Sequence, residues 1–197
     1  MKQIFLLNQS NLQLSKAEVL ALTNTKEQEL HNHLLILDNT KHLHQRLAFT
    51  KSIYQHLFTI PQKDLKSTIE SFDWNSVYNT SFAVRTFNLR QKEETIASMI
   101  WKKLNKPKVN LQNPTSTYHF YKVKSQIIAG RLLYNIPYNY DERKAHNRPQ
   151  NHPTSLHPQL ARAMINLTGI QEGTILDPFC GSGGILIEAA LMNLTPI

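Results

Sequence analysis

Apolar positions come in short runs at the start of the chain. Lys2–Leu7 carries enough of them for one strand, and the polar Asn8–Leu14 that follows reads as a turn. Ser15–Leu22 then reads as a helix, with Ser15 placed to cap it and Glu18 three residues on to complete a capping box. The four consecutive apolar residues Leu34-Leu35-Ile36-Leu37, bounded by polar neighbours, fit a buried strand. Leu47–Phe58 mixes Phe49, Ile53, Tyr54 and Leu57 with polar residues in a pattern that suits a bent strand or a helix equally well. Phe82-Ala83-Val84-Arg85 is β-prone. Glu93–Leu104 places Ile96, Ile100, Trp101 and Leu104 at helical spacing, with Lys102 and Lys103 near the end where they favour the helix dipole. Tyr118–Val123 alternates aromatic and polar residues as a half-buried strand does, and Ile127–Tyr134 continues in β-compatible fashion.

Periodicity then breaks. Asn135–Asn151 holds Pro137, Pro149, several Asn and mixed charges, which marks a connection between two domains. Beyond it, Pro158 stands at a first helical turn, Leu160, Met164 and Leu167 predict one apolar face, and Gly169 stops the helix. Thr174-Ile175-Leu176-Asp177 predicts a strand ending in a carboxylate, and Gly183–Leu194 a further helix. Strand, glycine loop and helix therefore follow one another.

Composition narrows the class. With 41% hydrophobic and 18% charged residues the chain lies well away from disordered sequences. It contains no run of about 20 apolar residues that would span a membrane, and Ile4–Leu7 is too short for the core of a signal peptide. One cysteine, Cys180, excludes an intrachain disulfide framework and a multi-thiolate zinc site, so no metal centre is expected and a reducing, cytoplasmic setting is. The formal charge of +8 is unevenly placed: Thr80–Gln150 holds 13 Lys and Arg against four acids, leaving the remainder at −1. Such concentration suits a polyanion, because each phosphate contact releases a counterion. Arg85, Arg90, Lys102, Lys103, Lys122, Lys124 and Arg131 are the candidate RNA contacts in this segment.

The loop Asp177-Pro178-Phe179-Cys180-Gly181-Ser182-Gly183-Gly184 joins the predicted strand to the predicted helix. Glycines there let a backbone approach a ligand closely, and the helix start offers free N–H groups. A phosphate-gripping P-loop needs Lys and then Ser or Thr after its last glycine, but Ile185 and Leu186 follow Gly184. A dinucleotide loop needs a small residue where Leu186 stands. Acid, apolar linker and G-x-G-G remain, and together they look like the first motif of class I S-adenosyl-L-methionine-dependent methyltransferases. Cys180 has no evident base partner and reads as a small buried loop residue.

The stretch His152-Pro153-Thr154-Ser155-Leu156-His157-Pro158-Gln159-Leu160-Ala161-Arg162-Ala163-Met164, followed by Asp177–Glu188, resembles the THUMP-containing tRNA guanine-N2-methyltransferases, particularly the type acting on guanosine 10. Phe82–Arg85 and Lys108–Leu111 with Asn113-Pro114 are similar to a THUMP domain. The resemblance implies an α+β fold: a ferredoxin-like unit over residues 1–65, a THUMP RNA-binding domain over 66–134, a linker over 135–151, and from 152 to 197 the beginning of an α/β Rossmann-like class I methyltransferase domain. It implies tRNA as partner, S-adenosyl-L-methionine as cofactor, and Asp177 to Gly184 together with Thr154, Ser155 and Leu156 as cofactor-binding residues.

Two features of that family are missing from the 197 residues: a second acid at the end of the next strand, and the D-P-P-Y block that positions the guanine amine. No catalytic residue is therefore assigned. Asn135-Ile136-Pro137-Tyr138 only superficially resembles an amine-binding loop and reads as a turn. The expectation that follows is an N-terminal portion completed by a C-terminal partner chain, or else a tRNA-binding protein without methyl transfer.

Overall fold

The computed structural model describes residues 1–25, 27–149 and 155–197. Backbone contacts divide them into two units, Met1–Ile4 with Tyr54–Leu133, and Phe5–Ile53 with Tyr134–Ile197. Among the described residues no helix is long and apolar enough to cross a membrane.

The first unit carries strands β4 (Thr50–Pro61), β5 (Phe82–Phe87), β6 (Ser116–Val123) and β7 (Gln126–Asn135), in the order β4-β7-β6-β5, with helices α2 (Leu65–Ser71) and α3 (Glu93–Trp101). Strands β6 and β7 form an antiparallel hairpin, whereas β5 and β6 run parallel because α3 lies between them in the chain. Period-two alternation sorts the side chains. Phe82 and Val84 of β5, Tyr118 and Phe120 of β6, and Ile127 and Ala129 of β7 are buried against Leu65, Ile69, Ile96 and Ile100 of the two helices. Trp74 lies in this cluster, its indole N–H donating to the Ile69 carbonyl at 2.9 Å. The alternate positions, Arg85, Phe87, His119 and Tyr121, belong to the opposite face.

The second unit orders its strands β2-β3-β1-β4, where β1 is Lys2–Leu7, β2 Glu29–His31 and β3 Leu34–Asp38. Helix α1 (Leu12–Thr23) contributes Val19 and Leu22 to a core with Phe5, Leu7, Leu35, Leu37 and Ile53. The ambiguous Leu47–Phe58 region resolves as strand. Its mixed pattern arises because Ile53 belongs to one hydrophobic cluster and Phe58 to another.

Two local expectations are corrected. Helix α1 begins at Leu12, after a 3-10 turn over Gln9–Asn11, so Ser15 is interior and its hydroxyl donates to the Asn11 carbonyl at 2.8 Å. Glu18 does not close a capping box; it is buried and receives N–H groups from another part of the chain. Helix α4 (Pro158–Leu167) does start at Pro158, with His157 Nδ1 accepting from the Gln159 amide. It turns inward with Ala161, Ala163, Ile165 and Asn166, leaving Met164 and Leu167 43% and 41% exposed. Small alanines and the polar demand of Glu18 select that face over the more apolar one.

The chain finishes with β8 (Thr174–Ile175), α5 (Gly184–Leu191) and β9 (Thr195–Pro196), the two short strands pairing in parallel. Ile165, Ala189, Met192 and Leu194 form the local core of this β-α-β element.

Candidate cofactor loop and basic surface

The glycine loop lies between β8 and α5. Asp177 Oδ1 accepts from the Phe179 amide at 3.1 Å, and the Gly183 amide donates to the Cys180 carbonyl at 2.8 Å, so the loop holds its shape through its own hydrogen bonds. Gly181 and Gly183 have φ of +53° and +73°, in the left-handed region that glycine tolerates best. A Cβ added at either would meet no heavy atom of the described residues within 4 Å. What the absent side chains leave open is space over the backbone at the start of α5. Phe179 and Cys180 both face solvent, Phe179 at 92% exposure. The expected burial of Cys180 is thus corrected, because the tight turn directs its side chain away from the β8–α5 core.

Two segments distant in sequence reach this loop. The hydroxyls of Ser155 and Ser182 are 2.8 Å apart. Arg148 places Nη1 3.6 Å from where a Gly184 Cβ would stand, with the Leu156 carbonyl oxygen at 3.8 Å. Its Nε donates to the Arg143 carbonyl at 2.9 Å, but both Nη atoms are buried and, among the described residues, lack a hydrogen-bond partner. A buried guanidinium edge with no acceptor is costly and fits an anionic ligand group. Thr154, also assigned to the site from the sequence, lies outside the described residues. The sequence gives no signal for Arg148: it stands in an aperiodic segment, 36 positions before Gly184.

The support beneath the loop is ionic. Glu188 of α5, fully buried, receives Arg143 Nε at 2.7 Å and Arg162 Nε at 2.8 Å. Glu18 accepts from the amides of Ala48 (2.7 Å) and Phe49 (3.0 Å) and from Asn166 Nδ2 (2.7 Å), while Arg46 donates to Asn166 Oδ1. Burial pushes the Glu18 carboxyl above its ordinary range, and the three donors recover part of that shift.

Charge separates by unit. The first holds 13 Lys and Arg against five acids, the second nine against nine, so the whole excess of +8 resides in the first. Arg90, Lys102, Lys103 and Lys124 are exposed there and Lys122 half-buried. Arg85 and Arg131 are engaged: Arg85 donates to the Val84 and Leu111 carbonyls and to Glu93, and Arg131 to the Val77 carbonyl. On the face that carries Arg85, Phe87 stacks on Tyr121 with centroids 4.5 Å apart. The Tyr121 hydroxyl lies 3.0 Å from that of Tyr54 and 3.3 Å from His119 Nδ1. Burial, reinforced by Arg85, pulls the His119 imidazole down to about 4.

Residues 145–197 match the family model of the RMKL-like methyltransferase domain. The chain is similar to the tRNA (guanine(10)-N2)-dimethyltransferase of Methanothermobacter thermautotrophicus, at 38% identity over 162 residues that cover 78% of this chain and 48% of that one. It spans about half the length of the curated relatives it matches, from 36% to 58% in four of them. Among solved structures it shares its fold with TrmN from Thermus thermophilus (TM-score 0.62, 18% identity, 100% of this chain and 64% of that one). The fold is shared too with SMU.472, a putative methyltransferase complexed with SAH (TM-score 0.53, 16% identity, 97% of this chain and 55% of that one).

Proposed function

We propose that this chain is the tRNA-binding and cofactor-loop part of an S-adenosyl-L-methionine-dependent tRNA guanine-N2-methyltransferase of the guanosine-10 type. The observation that carries the reading is the loop itself: open backbone at Gly181 and Gly183, beside a buried Arg148 guanidinium edge with no acceptor among the described residues. These groups fit an amino-acid-bearing nucleoside. Arg148 provides the partner for its carboxylate, and the N–H groups starting α5 favour that negative charge. Asp177, two residues beyond β8, and Ser182 in the loop provide polar contacts, with Ser155 against Ser182 and the Leu156 carbonyl beside Gly184. When bound, the cofactor supplies an electrophilic methyl group on its sulfonium.

In this reading the basic first unit holds the RNA. Residues 66–134 act as a THUMP domain, 1–65 as the ferredoxin-like unit before it, 135–151 as the linker, and 152–197 as the start of the methyltransferase domain. Support comes from the concentration of all excess charge in one unit, which favours backbone and shape recognition of structured RNA. The D-P-P-Y block is not among these residues, so positioning of the guanine amine falls to groups outside the 197. Calorimetric titration of S-adenosylhomocysteine, alongside band-shift titration of unmodified tRNA, tests both halves. Saturable binding of each is expected, and a chain that binds neither sinks the reading.

A further inference from the structure

Residues 139–148 of the second unit lie in the stretch predicted to connect two domains, and two 3-10 turns shape them, Asp141–Arg143 and Ala145–Asn147. Local bonds hold these turns: Arg143 Nη1 donates to the Asn139 carbonyl at 2.8 Å and Asn147 Nδ2 to the Asp141 carbonyl at 2.9 Å. Tyr140, 2% exposed, seats the start of the segment beside Ala48, Phe49 and Ala163. Two side chains then reach α5. Arg143 grips the fully buried Glu188 through Nε at 2.7 Å and Nη2 at 3.4 Å, with its guanidinium carbon 5.0 Å from the centre of the Tyr140 ring. Arg148 stands with Nη1 beside Gly184, about one helical turn before Glu188.

We propose that Arg143 is a positioning residue for the cofactor loop: its side chain pins residues 139–148 to Glu188, while its carbonyl oxygen holds Arg148 Nε and so sets the two Nη donors beside Gly184. The proposal rests on the cofactor reading of that loop and names the residue through which the partner of the cofactor carboxylate is placed. The bonds close a ring. From Gly184 the path runs down α5 to Glu188, across to Arg143, through its carbonyl to Arg148 at 2.9 Å, and back to Gly184. A two-pronged guanidinium–carboxylate contact fixes direction as well as distance. Buried pairs of this kind add little net stability over apolar packing, so the value of this one is geometric. Charge points the same way. Arg143, Arg148 and Arg162 meet residues 184–188, which carry one carboxylate, and Arg143 and Arg162 share it. Arg148 is the cation left for a ligand. Arg162 stands on α4 and its Nη1 donates to the Gln45 carbonyl, so it holds Glu188 without holding Arg148.

The test is calorimetric titration of the 197-residue chain with two probes: S-adenosylhomocysteine, which carries the carboxylate, and methylthioadenosine, which lacks it. Arg143→Met removes the grip on Glu188 but keeps the carbonyl, so a loss confined to the carboxylate-bearing probe acts through Arg148. It should weaken S-adenosylhomocysteine by about tenfold and leave methylthioadenosine unchanged. With Arg148→Met already in place, Arg143→Met should cost nothing further, because the group that transmits its effect is gone. Arg143→Lys keeps a cation near Glu188 with one prong; it should show a smaller loss of the same selectivity, and it carries the test should Arg143→Met fail to fold. Arg162→Met, which also damages the ion pair, should lower the melting temperature yet keep the ratio of the two affinities at its wild-type value. Wild-type affinities in Arg143→Met, equal weakening of both probes, or losses from Arg143→Met and Arg148→Met that add would each overturn the positioning role while the cofactor reading stands. A wild-type chain that binds neither probe overturns both.

Discussion

Glu18 Oε1 accepts a hydrogen bond from Asn166 Nδ2 at 2.7 Å, tying α1 to α4 across 148 residues of sequence. Both side chains are fully buried. The contact has no counterpart in local pattern: a carboxylate three residues after a serine looks like a helix start, and an asparagine near a helix end looks like a terminus. Tertiary packing gives both a different use. Glu18 satisfies two amides at Ala48 and Phe49 where the chain enters β4, and Asn166 relays the interaction to Arg46.

Removing the carboxylate should therefore be severe. Glu18→Ala leaves three buried donors without an acceptor, and a loss on the order of 3–5 kcal/mol is expected. For a chain of this size that lowers the melting temperature by about 10 °C, measurable by scanning calorimetry. The pH dependence has a definite sign. Because folding raises the Glu18 pKa above 4.5, the folded state favours the protonated form, so its contribution is largest below 4.5 and is lost as pH rises through the folded value. The melting temperature of wild type minus that of Glu18→Gln should fall from pH 4 to pH 7. A rise would refute the assignment.

Much of the architecture is legible in local pattern. The Leu34–Leu37 run, the alternation in Tyr118–Val123 and the strand–glycine–helix order after Thr174 all become elements at those places, because period and turn chemistry are set by neighbours in sequence. What is not legible depends on distant partners. Met164 and Leu167 look like a core face but are exposed, since α4 is oriented by Asn166 and by close approach at its alanines. Arg148 is invisible for the same reason: only folding brings its guanidinium beside Gly184.

His119 provides a second titration with the opposite sign. Its folded pKa of about 4 lies below the ordinary 6.5, so the neutral ring is favoured by folding. Its contribution is complete above pH 6.5 and is lost as pH falls from there toward 4. Wild type should lose no more than about 3 kcal/mol relative to His119→Gln over that window. Urea denaturation at pH 7 and pH 4 measures the difference, and equal losses for the two proteins would contradict the burial assigned to the ring.

The glycine loop predicts a separation of stability from ligand binding. Gly183→Ala introduces a Cβ with no atom of the described residues within 4 Å, so the left-handed backbone is penalised, by roughly 1–2 kcal/mol. The same Cβ occupies the approach to the loop and should weaken S-adenosylhomocysteine by at least about tenfold. Arg148→Met removes two Nη donors that no described protein group uses, together with the Nε bond to the Arg143 carbonyl, and should weaken the same ligand by about 10–100-fold. Methylthioadenosine, which lacks the carboxylate, should bind wild type and Arg148→Met equally in calorimetry. An equal loss for both ligands would mean that Arg148 supports the loop and does not face the carboxylate.

Finally, the cations of the first unit divide into two kinds that a salt titration separates. Lys102, Lys103 and Lys124 are exposed, and each reversed to Glu should weaken tRNA binding irrespective of sequence and reduce the slope of log affinity against log salt by about one. Lys16→Glu, in the neutral second unit, should leave that slope unchanged. Arg85 and Arg131 behave differently because their guanidinium groups already serve the Leu111 and Val77 carbonyls. Their substitution by Met should lower the melting temperature and leave the salt slope of the remaining folded protein intact. Filter binding across a range of salt concentrations, paired with melting curves for each variant, resolves the two groups. A slope change for Arg131→Met without loss of stability would transfer that residue from the scaffold to the RNA-contacting surface.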